Sequence, residues 1–142
     1  MSPMKRKGRC LCGTVQITAA SEARSLDVCH CKNCQLQTGS PFAAFLALPL
    51  KRLAISGPLK RFDDACTVSG NSVERFFCGN CGSPCYVRVA RAPNTAYVFS
   101  GLFNDTDDLS PKVHGWTSQK HQWIDIDNTT PQFAVDPGLF PE

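Results

Sequence analysis

Three thiol groups lie within six consecutive residues of this chain, at Cys29, Cys31 and Cys34. Thiolate sulfurs at this spacing can converge on one metal ion, and soft sulfur ligands favour zinc. A structural zinc has four protein ligands, whereas a reactive zinc keeps one position open for water or substrate. The motif itself supplies three ligands. The origin of a fourth ligand therefore decides between a structural and a reactive site.

Four more cysteines form two pairs that are far apart in the sequence. Cys10 and Cys12 are a CxC pair, which on extended backbone points both side chains to one face. Cys78 and Cys81 form a CxxC knuckle followed by Gly82, the pattern of zinc ribbons. Closing the intervening loop costs about 4 kcal/mol, and structural zinc binding contributes about 10 to 16 kcal/mol. The two pairs are therefore predicted to share one structural zinc.

Four residues are candidates for a fourth ligand beside Cys29, Cys31 and Cys34. His30 is poorly directed, because its neighbours on both sides are already ligands, while Asp27 and Cys66 depend on how the chain folds. Cys85 is the strongest candidate, since it follows Cys81 by four residues and could turn to the metal or into the core. Cys66 is expected to be a small, partly buried residue. If the site stays open, three thiolates leave zinc with a formal negative charge, which favours a bound, nucleophilic thiol substrate.

Composition indicates one soluble globular domain spanning residues 1–142. The chain is 42% hydrophobic and 19% charged, and no apolar run approaches the ~20 residues that span a bilayer. No apolar segment typical of a secretory signal follows the basic N-terminus. The chain has nine cysteines, an odd number, and seven of them lie in groups of two or three, which indicates metal ligation in a reducing, cytoplasmic setting rather than disulfides. A net charge of +3 with scattered cations does not favour a nucleic-acid partner.

Hydrophobic patterning predicts a β-rich fold. Phe42–Leu48 is apolar throughout and flanked by prolines, so it is the predicted core strand. A short helical turn over 35–38 is predicted to end at Gly39. Residues 104–111 read as an acidic loop, and 1–7 and 129–142 as irregular tails. The other predicted strands are 8–20, 51–55, 59–62, 72–77, 85–91, 95–100 and 122–127.

The cysteine motifs and their surroundings together resemble a known family. The segments GRCLCGTV, CHCKNCQLQTGSPF, RFFCGNCGSPCY and PKVHGWTSQKHQWIDI are similar to those of the glutathione-dependent formaldehyde-activating enzyme family, which includes centromere protein V. The resemblance implies a mainly β, single zinc-stapled domain of several small coiled antiparallel sheets. It implies two zinc ions per chain, one structural and one at the candidate catalytic residues. The implied ligands are Cys10, Cys12, Cys78 and Cys81 for the first, and Cys29, Cys31 and Cys34 for the second.

The same resemblance implies carbon-sulfur lyase chemistry. A thiol such as glutathione combines with formaldehyde to give an S-hydroxymethyl adduct, as in an S-(hydroxymethyl)glutathione synthase. The alternative hypothesis is a non-catalytic zinc-binding module that engages a protein or nucleic-acid partner. The oligomeric state is not specified by the sequence.

The chain departs from the family pattern in two places. Cys85 stands where an aliphatic residue is common and could close the second zinc site. Gln35 stands where arginine is often expected, which removes a possible anchor for a carboxylate. An aromatic cluster near the end of the chain is interpreted as core packing rather than as part of a substrate pocket. Its members are His114, Trp116, His121 and Trp123.

Overall fold

The computed structural model describes residues 5–67 and 70–137, which form two β-sheets, one α-helix and three 3-10 turns. The helix α1 is Lys32–Thr38, and the 3-10 turns are Leu50–Arg52, Ser100–Leu102 and Thr117–Gln119. The strands are β1 (Lys5–Arg9), β2 (Gln16–Ala20), β3 (Ser25–Cys29), β4 (Ala43–Pro49), β5 (Leu53–Ser56), β6 (Leu59–Asp64), β7 (Val73–Cys78), β8 (Pro84–Val89), β9 (Thr95–Phe99) and β10 (Ser110–Gly115). The predicted mainly β fold class is confirmed.

The predicted set of several small sheets is found as one small and one large sheet. The small sheet has the order β1-β2-β5, and the large one has the order β10-β3-β4-β9-β8-β7-β6. All pairs are antiparallel except β10 with β3, which run parallel. The parallel pair differs from the expectation of antiparallel sheets only.

Strands β4 and β9 form the centre of the large sheet and are covered on both faces. Phe45 and Tyr97 lie on one face, where they pack with β7 and β8 residues. Leu46 and Val98 lie on the opposite face, where Ile17 of the small sheet packs against them. The predicted core strand is therefore confirmed, because an apolar side chain at nearly every position can be buried only between two layers.

Helix α1 begins directly at the first cysteine motif. The Cys31 sulfur accepts a hydrogen bond from the Cys34 backbone N–H at 3.4 Å and so caps the first turn. Gly39 ends the helix in the left-handed conformation with φ 66°, as predicted. The helix is longer than the predicted turn because this sulfur cap starts it at Lys32.

The predicted strand over 8–20 is two strands joined by a tight loop. Residues 10–15 form that loop, in which Gly13 has φ 83°, a value that favours glycine. Residues 5–7 belong to β1 and not to an irregular tail, because the buried Arg6 is fixed by Asp108. The parts of the predicted tails at 1–4 and 138–142 lie outside the described residues.

The C-terminal third of the chain departs most from the predictions. The strand predicted over 122–127 is wrong: these residues form a turn followed by irregular backbone, and Trp123 is 70% exposed. Strands β3 and β10 were not predicted. Residues 130–137 run beside β10 and the last 3-10 turn, with backbone hydrogen bonds that include His114 N–H to Pro131 O at 3.0 Å. Within the described ranges, no helix is both long and apolar enough to cross a membrane.

Candidate metal centres and a cavity above the second

The structure brings together the two distant cysteine pairs. The sulfurs of Cys10, Cys12, Cys78 and Cys81 all lie within 4.8 Å of one another. The first pair comes from the loop between β1 and β2, and the second from the knuckle between β7 and β8. Gly13 and Gly82, with φ 83° and 81°, allow both loops to bend around a common centre. We call this group the four-thiol cluster.

Hydrogen-bond donors surround the sulfurs of the four-thiol cluster. The Val15 backbone N–H donates to the Cys10 sulfur at 3.3 Å, and the Asn80 side-chain amide donates to the Cys12 sulfur at 3.2 Å. The Ser83 hydroxyl lowers the pKa of the Cys81 thiol to about 5. Four convergent sulfurs with N–H and O–H donors fit a structural zinc site, in which all ligands are thiolates.

The second group of thiols is built from a single local segment. Cys29 ends β3, Cys31 caps α1, and Cys34 lies in the first turn of the helix, so a strand-to-helix junction converges all three sulfurs to within 4.8 Å. Hydrogen bonds from the Cys29 and Cys34 thiols lower the pKa of Cys31 to about 3. The neighbouring sulfurs and burial raise the pKa of Cys29 and of Cys34, so Cys31 ionises first and metal binding would displace the other two protons. We call it the three-thiol cluster.

In the described part of the chain, no fourth ligand completes the three-thiol cluster. Among residues 5–67 and 70–137, no cysteine, histidine or carboxylate adds a ligand atom within 4.8 Å of all three sulfurs. The His30 ring is directed to His114, with 3.0 Å between His30 Nε2 and His114 Nδ1. Cys66 is exposed, whereas it was predicted to be partly buried. Three soft donors with this gap fit a zinc that retains an open position.

Cys85, the strongest candidate for that fourth ligand, lies beside the other cluster. It is fully buried with Cys10 and Cys78, and its thiol donates to Ser83 O at 3.4 Å. Burial raises the pKa of the Cys85 thiol to about 12. Cys85 is thus a protonated core residue next to the four-thiol cluster, and it does not close the three-thiol cluster.

A cavity of about 150 Å³ lies above the three-thiol cluster. Its walls come from the face of the large sheet opposite the small sheet, and they are mostly apolar. The apolar wall residues are Val28, Phe45, Val73, Val87, Val89, Tyr97, Val113 and Trp116. The cavity can therefore admit a small guest to the sulfurs and keep bulk water away from them.

Four charged residues interrupt the apolar wall: Asp27, Arg75, Arg91 and Asp136. Asp27 precedes Cys29 by two positions on β3 and so shares its face, and its carboxylate lies 3.6 Å from Lys112 Nζ. Arg75 on β7 is 6% exposed, and its Nε donates to Asp64 Oδ2 at 2.9 Å. Arg75 was not predicted as a site residue. The available signal was its position two residues after Val73 in a strand whose inward-facing side chains are otherwise apolar.

Gln35 has a structural role in the loop that carries the three-thiol cluster. Its side-chain amide donates to His30 O at 2.8 Å and to Gln119 O at 3.0 Å. The His121 ring lies 3.0 Å from Gln35 Oε1. Gln35 does not line the cavity. It fixes the last 3-10 turn to the cysteine motif.

The predicted aromatic core cluster is divided between several environments. Trp116 lines the cavity and packs against its core, while Trp123 is 70% exposed. His121 contacts Gln35 and accepts a hydrogen bond from Trp123 Nε1 at 3.2 Å. Core packing is therefore the wrong interpretation for Trp123, and Trp116 contributes to the cavity wall as well as to packing.

Comparison with known proteins points to one family. The chain is 27% identical over 130 residues to an uncharacterized lyase of Schizosaccharomyces pombe, a match that covers 92% of this chain and 91% of the relative. The crystal structure of a Rhodobacter sphaeroides protein is similar with a TM-score of 0.54 and 21% identity, over 69% of this chain and 87% of that one, which shows the fold alone. The profile of the family described as "Glutathione-dependent formaldehyde-activating enzyme" matches residues 5–119. The chain therefore belongs to the glutathione-dependent formaldehyde-activating enzyme family.

Proposed function

We propose that this chain is a zinc-dependent enzyme of the carbon-sulfur lyase type. It joins a small carbonyl compound such as formaldehyde to a thiol such as glutathione, or releases it from the adduct. The observation that carries the proposal is the three-thiol cluster at the base of an apolar cavity, with no fourth protein ligand among the described residues. Family membership and the lyase relative support formaldehyde-activating, lyase-type chemistry at a coarser level.

In this proposal the four-thiol cluster stabilises the fold and the three-thiol cluster takes part in the reaction. Cys10, Cys12, Cys78 and Cys81 would hold a structural zinc that ties the small sheet to the large one. Cys29, Cys31 and Cys34 would hold a second zinc at the cavity floor. That zinc, when bound, lowers the pKa of a guest thiol and leaves its sulfur nucleophilic.

The protein around the second cluster positions the reactants and excludes water. The sulfur electron pair of the guest thiol forms the new carbon-sulfur bond, while the carbonyl π electrons move to oxygen. The proton that the thiol lost on ionisation ends on that oxygen and completes the hydroxymethyl group. The apolar walls hold both reactants together, which replaces a bimolecular encounter in water with a reaction between bound neighbours.

Cavity size limits what can reach the sulfurs. About 150 Å³ is the volume that accepts one benzene-sized molecule. The thiol-bearing arm of a peptide and a one-carbon carbonyl fit this space, whereas a whole tripeptide does not. The rest of glutathione would lie at the cavity mouth, where Asn71 and Arg91 contribute polar atoms.

Exchange between glutathione, formaldehyde and their adduct tests the proposal directly. Exchange NMR should show faster interconversion with zinc-loaded protein than in buffer. Cys34→Ser should return the rate to the buffer value, while the circular dichroism spectrum is retained. A wild-type protein that accelerates exchange for none of a panel of small thiols would refute the proposed activity.

A further inference from the structure

We propose that Arg75 forms a binding subsite for the carbonyl oxygen of the substrate, which makes it a catalytic residue of a site that takes small uncharged aldehydes. The inference rests on the proposed function, because it concerns the second reactant in the same cavity. The observation behind it is a buried guanidinium that lines the same cavity as the three-thiol cluster.

The Arg75 guanidinium is fixed on two of its three nitrogens. Its Nε donates to Asp64 Oδ2 at 2.9 Å, and its Nη1 donates to Gln37 Oε1 at 2.6 Å. Within residues 5–67 and 70–137, no acceptor is paired with Nη2. The N–H groups of Nη2 are therefore available to a guest in the cavity.

The anchoring groups are themselves held in place. Asp64 is 9% exposed, and it also accepts hydrogen bonds from the Asn33 side-chain amide and the Cys66 backbone N–H, both at 3.2 Å. Because these contacts fix the carboxylate, the guanidinium need not reorganise when charge develops on a guest. Preorganised donors of this kind are the most effective means of stabilising a developing oxyanion.

The charges around the cavity favour a neutral carbonyl oxygen over a second anion at Arg75. Asp64 already balances the guanidinium, Lys112 balances Asp27, and Arg91 pairs with Asp136. A three-thiolate zinc adds a net negative charge, to which the guest thiolate adds another. A neutral aldehyde can enter this negatively charged cavity, and its oxygen becomes negative only as the carbon-sulfur bond forms.

The reaction step at Arg75 follows from this placement. As the thiolate electron pair forms the carbon-sulfur bond, the C=O π pair moves to the oxygen, where Nη2 donates to it. Water at the cavity mouth then delivers the proton that balances the one lost by the thiol. The apolar walls restrict the aldehyde to formaldehyde and short aliphatic homologues, because a charged or bulky substituent would have to displace packed valine side chains.

Substitutions of Arg75 must preserve the buried charge balance to be informative. Removing Arg75 alone leaves Asp64 buried and uncompensated, which can prevent folding. Two variants avoid this problem. Arg75→Lys keeps the positive charge but loses the planar guanidinium with its several N–H donors, and Arg75→Met combined with Asp64→Asn removes both charges. Arg88→Met is the matched control, since Arg88 pairs with Glu74 at 2.9 Å and does not line the cavity.

The first readout separates aldehyde recognition from thiol binding. Thiol–formaldehyde exchange should fall about 100-fold in the double variant, the cost of losing one oxyanion donor, and by less in Arg75→Lys. Thiol binding, measured by the sulfur-to-metal absorption of the cobalt-substituted protein, should be unchanged. A parallel loss of thiol affinity would show that Arg75 holds the thiol instead and would overturn the subsite.

The second readout does not depend on activity. Formamide, an unreactive one-carbon carbonyl compound, should give saturable shifts of the Arg75 side-chain nitrogen signals and of the Val73 and Val87 methyl signals in the thiol-bound protein. The methyl shifts should disappear in the double variant and persist in Arg88→Met. Absence of these shifts would overturn the subsite even if the wild type accelerates exchange. Shifts that depend on Arg75, in a protein that accelerates exchange with no thiol, would instead refute the proposed function alone.

Discussion

The two cysteine clusters differ in how the chain builds them. The four-thiol cluster takes one pair from the β1–β2 loop and another from the β7–β8 knuckle, so it links parts of the chain that are distant in sequence. The three-thiol cluster comes from one strand-to-helix junction and crosslinks nothing. A site that joins distant segments contributes to folding, whereas a site within one segment can be left incomplete without loosening the fold.

The surroundings of the clusters also differ, since one cluster is packed in the core and the other faces a cavity. The four-thiol cluster is packed against Val15 and Cys85 and is saturated with its own four sulfurs. The three-thiol cluster faces a cavity whose walls carry Asp27 and Arg75. The four-thiol cluster is therefore expected to stabilise the fold, and the three-thiol cluster to bind the reactants. Substitutions in the two clusters should have correspondingly different effects.

The largest effect is expected for Cys78→Ser. Loss of a ligand from the four-thiol cluster should remove most of the ~10 kcal/mol that a structural zinc contributes to folding. The variant should show no cooperative thermal unfolding transition by circular dichroism. Cys66→Ser is the control, since Cys66 is exposed and belongs to neither cluster. A folded, cooperative Cys78→Ser variant would contradict the structural assignment.

Cys31→Ala should abolish function and leave the fold intact. Its sulfur belongs to the three-thiol cluster and also caps α1, so we expect a loss of about 1 kcal/mol in the free energy of unfolding. Zinc content measured by elemental analysis should fall from two ions to one per chain. Two ions retained in this variant, or none, would break the distinction between the clusters.

Cys85→Ala should have a modest effect on stability and none on metal content. The thiol is fully buried, so its removal leaves a small void that costs about 1 kcal/mol in the free energy of unfolding. Denaturant unfolding and zinc analysis of the same sample measure both quantities. Loss of the second zinc in this variant would show that Cys85 closes the three-thiol cluster in solution.

The smallest expected effect is a pH dependence from two histidines, the buried His30 next to the three-thiol cluster and the half-buried His114 that contacts His30. Burial lowers the pKa of His114, and it lowers the pKa of His30 to about 4. Below the ordinary histidine value of about 6.5, the unfolded chain takes up protons more readily than the folded one, so stability falls as the pH decreases.

The measurement is the midpoint of thermal unfolding at about pH 7.5 and about pH 5.5. His114→Gln removes one of the two groups and should reduce the difference between the two midpoints by roughly 2 °C. An unchanged difference would show that His114 does not contribute to the pH dependence.

The sequence predicted the clusters better than the strands that carry them. Cysteine spacing depends on local geometry, so the two groups could be assigned without knowing the fold. Strand β3 was missed because Asp27 interrupts its apolar pattern, and in the structure that carboxylate faces the cavity. Strand β10 was missed because Pro111 and neighbouring polar residues resemble a loop. Its parallel pairing with β3 and its backbone hydrogen bonds to Pro131 and Phe133 stabilise it.

The charged residues of the candidate site could not be predicted from the sequence. Arg75 reads as one cation among many until β7 turns it inward against Asp64. The strand predicted over 122–127 shows the opposite error. Trp123, Ile124 and Ile126 suggest alternation, but no neighbouring strand pairs with them in the described part of the chain, and backbone contacts to Pro131 and beyond take that place beside β10.

Cadmium-113 NMR of the cadmium-substituted protein can show whether the three-thiol cluster is open to an external ligand, because the two clusters give separate signals. Titration with glutathione should shift one signal, as an external sulfur completes the three-thiol cluster, and should leave the other unchanged. The shifting signal should be missing in Cys31→Ala and present in Cys85→Ala. If added thiol shifts neither signal, the three-thiol cluster is closed and cannot be the thiol-binding site.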